Sequence, residues 1–317
     1  MSTPPVSTHV WTKLHMGGDS EGPGTVRALP LGSLPRVSSR RPSEIEPWPE
    51  PFDPAAELDW ADPDISRRLL HEHLDQSHDG ASRRERVVDD HVRRLLRLLP
   101  SAPAHLLDAA CGPGLYSVRL AGAGHRVTAI DVGPAVIRHA RRLARGAGVA
   151  DLVDARVADL RGLSEAGRFD GALLIYHVLE AFPRRQQTGI VRRLATSLRD
   201  DAPLIVEMRL RPDQPHGRIS TWDVVESSLL SDRRHLLLVE TVHDRRRNTF
   251  VLRETAVFDD GTTAVQQTSS ALSGLDEIAP RFAAAGLRVE AIYDGWSRFR
   301  ASPLSETVLV VARRDRR

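Results

Sequence analysis

The sequence predicts a doubly wound α/β fold, and three observations predict it. Short apolar runs of strand length alternate with helical periods between about residues 106 and 206, the pattern of a parallel sheet covered on both faces. A glycine turn, Gly112-Pro113-Gly114, falls where the first strand meets the first helix. Acidic residues stand at the ends of the second and third strand-like runs, at Asp131 and Asp159, on the edge where open α/β sheets bind ligands.

Taken in order, residues 1 to about 50 are rich in Pro, Gly and Ser and show neither helical nor strand period, so they read as a flexible extension. Trp11 and Trp48 stand out in it as side chains able to pack on the domain or over a site. From Pro63 the period turns helical, first through Ile65, Leu69 and Leu70, then through Val87, Val88, Val92, Leu95, Leu96, Leu98 and Leu99, ending at Pro100. This segment, about 51–100, reads as an N-terminal helical lid. Strands follow at Leu106-Leu107, Val127 to Ile130, Val153 to Val157, Ala172 to Ile175 and Pro203 to Val206, with helices after Gly114, through Val136 to Leu143, and through Ile190 to Leu198. At about 211–272 the rhythm changes to three strand-like runs, Leu236 to Val242, Phe250 to Val257 and Thr262 to Thr268, joined by hairpin-like turns. A helix from Leu275 stops at Gly286, and two last strands follow at Val289 to Ile292 and Thr307 to Val311. The sum is one Rossmann-like domain over 101–317 with an antiparallel β insertion after its fifth strand.

Composition narrows the function classes. The chain is 41% apolar, enough for an ordinary core, and its formal net charge is only +2. Of 44 basic residues all but Lys13 are arginine, yet they are scattered among 42 acids without a basic stripe, so no nucleic-acid partner is expected. The single cysteine, Cys111, excludes an intramolecular disulfide and a cysteine-based zinc site. No run has membrane-spanning length and no signal-like segment opens the chain, so the expectation is a cytoplasmic protein with no membrane partner.

The glycine turn lets backbone approach a ligand without a Cβ in the way, and the following helix offers unpaired N–H groups to an anion. Asp131, nineteen residues beyond Gly112, can accept both hydroxyls of a ribose, and Asp159 is placed to meet an adenine amino group. Any one of these aspartates is by itself an ordinary cap or loop residue; in order and at strand ends they point to a nucleoside-bearing cofactor. A nicotinamide fingerprint would want a third glycine where this chain has Ser117.

The spelling Asp108-Ala109-Ala110-Cys111-Gly112-Pro113-Gly114, with the closing order of helix, strand and final strand, resembles class I S-adenosylmethionine-dependent methyltransferases of the actinobacterial natural-product type. The resemblance covers about 104–210 and 273–313. It implies S-adenosylmethionine as cofactor and a last strand inserted antiparallel beside the fifth. It also implies a cofactor site that includes Asp108, in which Gly112 and Gly114 flank the methionine portion, Asp131 holds ribose, and Asp159 with Leu160 faces adenine. The stretch from His73 to Arg84 and that from Trp222 to Ser227 resemble segments of the same proteins; in the first, Ser82 and Arg83 would hold the cofactor carboxylate, and Gln76 and His78 would line the lid.

Methyl transfer is an in-line displacement, for which the protein supplies proximity, alignment and a base. After the fourth strand, Tyr176 would cap the sulfonium and His177 would act as general base, an imidazole being suited to that work near neutral pH. Glu207 and Arg209, ending the fifth strand, would orient a polar substrate, and Trp222 and Trp296, with Tyr293, would stack on an aromatic ring. No metal site is expected: His71 and His73 diverge on a helix, and no three-ligand acidic set is present. The expectation is therefore a metal-independent methyltransferase of a small molecule in bacterial secondary metabolism. C-methylation of an indole is its most specific form, with N- or O-methylation as the alternative. A chain that binds the cofactor without transferring its methyl, as a scaffold, is the reading from another class.

Overall fold

The computed structural model describes residues 50–212 and 217–315. Five parallel strands, β1 (His105–Ala109), β2 (Arg126–Asp131), β3 (Val153–Val157), β4 (Gly171–Leu174) and β5 (Pro203–Arg209), lie in the order 5-4-1-2-3. The last strand, β11 (Thr307–Arg314), inserts antiparallel between β5 and β10 (Leu287–Asp294) and completes a seven-stranded sheet. The strand order reverses between β1 and β4, which makes the carboxyl ends of those two strands the topological switch point.

Alternation within the strands builds two cores. In β4, Ala172 and Leu174 face one cluster with Ile190, Val191 and Leu194 of α5 (Arg184–Ser197) and Ile278 and Phe282 of α6 (Leu275–Ala283). Leu173 faces the other, with α2 (Glu85–Leu98), α3 (Leu115–Gly122) and α4 (Pro134–Gly146). Helices on both faces explain why these strands read as continuous apolar runs.

The lid expectation covered both N-terminal helices, and the packing divides them. Val88, Val92 and Leu95 of α2 share the core cluster of β1 and β2, so α2 is a structural layer of the domain. The other helix, α1 (Pro63–Leu74), starts at Asp62, whose carboxylate accepts the N–H groups of Asp64 and Ile65, both at 2.9 Å, with Pro63 at the first helical position. It rests on α4, where the Ser66 hydroxyl accepts the Ala135 N–H at 3.0 Å.

The insertion is an antiparallel meander of four strands, not three: β6 (Arg218–Val225), β7 (His235–Asp244), β8 (Thr249–Val257) and β9 (Thr263–Ala271). The unexpected member, β6, is an edge strand exposed along most of its length, so it lacks the apolar alternation that betrays a half-buried strand. At the opposite edge, Leu58 N–H donates to Gln267 O and Gln267 N–H donates to Ala56 O, each at 2.9 Å. Residues expected in a helical lid are thus extended here, because the open edge of β9 offers backbone groups that need partners. Trp11, Trp48 and the proposed flexible extension lie outside the described residues. Among the described residues no helix is long and apolar enough to cross a membrane.

Candidate active site

At the switch point a cavity of about 640 Å³ opens, within the size range of small-molecule sites. Its floor is the carboxyl edge of β1, β2 and β4; its walls are α1, the loop 80–82 and the inner face of β8 and β9.

Gly112 turns at φ +52°, and its N–H donates to Asp131 Oδ2 at 2.9 Å; the Gly133 N–H donates to Oδ1 at 2.8 Å. Asp131 therefore clamps the β1–α3 and β2–α4 loops together. Each of its oxygens keeps acceptor capacity toward the cavity, and desolvation raises its carboxyl above the usual range. Asp108 is buried at the cavity floor, accepts the Ser117 hydroxyl at 2.5 Å, and is pushed by burial up to about 6. Leu160 and Val132 add apolar wall. Asp159 also lines the cavity, with its carboxylate accepting the Arg161 N–H at 2.7 Å and pairing with the Arg161 guanidinium, which holds it below the usual range.

Gly114 sits elsewhere than expected. It does not line the cavity; a Cβ there would meet Ala140 Cβ at 2.7 Å, and its φ is +83°. The glycine serves the close approach of α3 to α4 and a left-handed turn, not contact with a ligand. Ser82 is at the wall, but Arg83 is not: its guanidinium donates to Glu207 Oε1 at 2.7 Å and lies 4.7 Å from the Tyr176 ring centroid.

Beyond β4, Tyr176 and His177 both take left-handed backbone, at φ 73° and 59°, which is strained for bulky residues. The strain is held by Tyr176 N–H donating to Glu207 Oε2 at 2.8 Å and by the Tyr176 hydroxyl donating to the carbonyls of Asp79 and Gly80. Burial pushes that phenol up to about 12; Tyr176 lines the cavity while its hydroxyl secures the loop 79–80. Glu207 is fully buried and not on the cavity wall. Burial alone would raise it, but His177 and Arg83 hold it at about 2. It supports the site from beneath, with Oε1 4.0 Å from His177 Nε2, and is not a substrate contact. His177 and Arg209 do line the cavity.

Three further expectations are corrected. His78 is buried within its own loop, where Nδ1 accepts the Gly80 N–H at 2.8 Å and Nε2 lies 3.5 Å from Asp75. Trp222 is 72% exposed on edge strand β6, away from the cavity. Trp296 stacks on His91 of α2, centroids 3.7 Å apart and planes 6° from parallel, and Tyr293 is covered by the guanidinium groups of Arg94 and Arg300. The aromatic wall comes instead from Phe52, Trp60, Tyr116, Phe182 and Phe250. Sequence reasoning also passed over Glu180. This carboxyl is buried at the wall, with Oε1 accepting the Arg209 N–H at 2.8 Å, Oε2 without a partner, and burial pushing it up to about 7. An acid three residues beyond a candidate base was the available signal. Among the described residues no group of three or more His, Cys, Asp or Glu is arranged to hold a metal ion.

Residues 106–201, from β1 through α5, match a family described as a methyltransferase domain. Over 110 residues the chain is 37% identical to a ubiquinone biosynthesis O-methyltransferase of Xanthomonas axonopodis pv. citri, a stretch covering 34% of this chain and 44% of that protein. The chain thus matches less than half the length of that relative. Among solved structures, the CcbJ methyltransferase from Streptomyces caelestis superposes with a TM-score of 0.65 at 16% identity, over 82% of this chain and 100% of that one. S-adenosylmethionine-bound CalS10, an amino pentose methyltransferase from Micromonospora echinaspora, does so with a TM-score of 0.52 at 21% identity, over 73% and 91%. These likenesses show the class I methyltransferase fold.

The cofactor implied by that fold is S-adenosylmethionine, and the methyltransferase crevice fits it chemically. A carboxylate with spare acceptor capacity stands at the end of β2, Leu160 and Val132 offer an apolar face, and the first turn of α3 has no side-chain cap on its N–H groups.

Proposed function

We propose that the protein transfers a methyl group from S-adenosylmethionine to a nitrogen or oxygen atom of a small molecule. The observation that carries this reading is a single cavity, continuous from Asp131 and Gly112 to His177, Glu180 and Arg209 and on to Phe250 and Leu252 of the insertion. One end suits a nucleoside and the other an acceptor, so donor and acceptor meet at the carboxyl end of β4.

Bound there, the cofactor supplies an activated methyl group. The chain's own residues align, exclude water and move a proton. His177 takes the acceptor's proton, and the buried anion of Glu207, 4.0 Å from its Nε2, stabilises the resulting imidazolium. Glu180, with Oε2 unpartnered and its pKa pushed up to about 7, receives a polar hydrogen of the acceptor and orients it. The apolar wall from Phe52, Trp60, Phe182 and Phe250 keeps bulk water from the reacting atoms.

C-methylation of an indole loses two of the side chains it leaned on, Trp222 and Trp296, both away from the cavity. Acceptor nitrogen or oxygen matches the polar pair His177 and Glu180 better, and the relatives named above include an O-methyltransferase and an amino pentose methyltransferase. The test is transfer of labelled methyl from S-adenosylmethionine to a panel of amines, phenols, sugars and indoles. Label on an amine or hydroxyl is expected. Label on indole carbon would reverse the choice of acceptor, and cofactor binding with no transfer to any of them would leave a non-methylating binder.

A further inference from the structure

His73 stands in the last turn of α1 and lines the cavity. Its ring lies against the glycine turn: a Cβ built on Gly112 would come within 3.6 Å of His73 Cε1 and 3.9 Å of Nδ1. Nδ1 is out of solvent's reach and has no hydrogen-bond partner. Burial lowers the imidazole to about 4, only partly offset by the backbone of Ala81, so the ring is neutral at physiological pH. A neutral imidazole carries one proton. One of its two ring nitrogens is therefore an acceptor, on a ring that lines the cavity.

The helix that carries it touches both cofactor loops. Ser66 accepts the Ala135 N–H at the start of α4 and lies 2.8 Å from where a Cβ of Gly133 would be, while His73, about two turns further along, covers Gly112. Gly133 and Gly112 are the two residues whose N–H groups hold Asp131. A buried acceptor over the glycine turn calls for a donor from the ligand, and a cation satisfies it most strongly.

We propose that His73 accepts a hydrogen bond from the ammonium group at the amino-acid end of the cofactor. This rests on the cofactor reading of the crevice. It makes α1 a reader of the cofactor's amino-acid end, a role that sequence reasoning gave to Ser82 and Arg83.

The test compares two ligands by calorimetry: S-adenosylhomocysteine, which has the ammonium, and 5′-methylthioadenosine, which keeps adenosine and sulfur but lacks the amino-acid end. His73→Ala and His73→Phe are expected to weaken S-adenosylhomocysteine by about 10–100-fold and to leave 5′-methylthioadenosine unchanged. The phenylalanine variant keeps a packed ring without the acceptor, so it carries the comparison should the alanine variant not fold. Equal losses for both ligands, or no loss for either, overturn the proposal. A wild-type protein that binds neither ligand removes the cofactor reading, and this inference with it.

Discussion

At the scale of single residues, the account turns on what His177 does. Its backbone is left-handed, at φ 59°, and asparagine tolerates that conformation better than most residues. His177→Asn therefore removes the proton acceptor with little backbone cost, and turnover is expected to fall about 10²–10⁴-fold. Melting temperature and cofactor affinity should stay close to wild type. A variant that melts early but retains turnover per folded molecule would make His177 a structural residue. Gly114 makes the converse prediction. Gly114→Ala forces a Cβ to 2.7 Å from Ala140 Cβ at φ +83°, so a stability loss of at least about 1–2 kcal/mol is expected in denaturant titration. The sequence made the turn legible because glycine takes φ +52° and +83° without steric cost. It did not reveal which glycine faces the ligand, since that depends on α4 arriving over Gly114. Glu207 was legible as a polar residue at a strand end. Its partners Arg83 and His177 come from distant parts of the chain, so its place beneath the site was not.

Among the elements, the parallel strands were readable because burial on both faces leaves nothing but apolar runs, as in Ala172 to Ile175. Strand β6 was not, because an exposed edge strand carries Arg218, Ser220 and Asp223 as readily as a loop does. The division of α1 from α2 was hidden for another reason. Both have an apolar face, and periodicity does not say what that face meets. The division is testable by a truncation that starts the chain at Glu85. It keeps α2, whose Val88 and Leu95 are fully buried in the main core, and loses α1 and the carbonyls that receive the Tyr176 hydroxyl. A folded domain by circular dichroism is expected, with S-adenosylhomocysteine affinity reduced at least about tenfold. Undiminished affinity would show that α1 plays no part in the site.

For the molecule as a whole, buried carboxyls of opposite tendency give stability a dependence on pH with a definite sign. Burial pushes Glu180 up to about 7, so between an unfolded value near 4.3 and about 7 the folded chain binds the extra proton. Its contribution is complete below that window and is lost as pH rises through about 7, by an amount on the order of 3 kcal/mol. Glu207, held at about 2 by His177 and Arg83 against the cost of burial, works the other way: its contribution is present above about 4.3 and is lost as pH falls toward 2. Melting curves of Glu180→Gln and wild type should therefore diverge in the variant's favour from pH 5 to pH 8. Parallel curves would mean that Glu180 is not held protonated.

The β1 turn, Asp131 and α1 border one crevice, proposed to hold S-adenosylmethionine. Calorimetric titration with S-adenosylhomocysteine, set beside the same titration with NAD, tests that proposal most directly. The account predicts saturable one-to-one binding of S-adenosylhomocysteine and none of NAD. It further predicts that Asp131→Ala weakens the binding by at least about tenfold, since charge-assisted hydrogen bonds to ribose and the clamp on Gly112 and Gly133 disappear together. Tight binding of NAD with no heat from S-adenosylhomocysteine would contradict it.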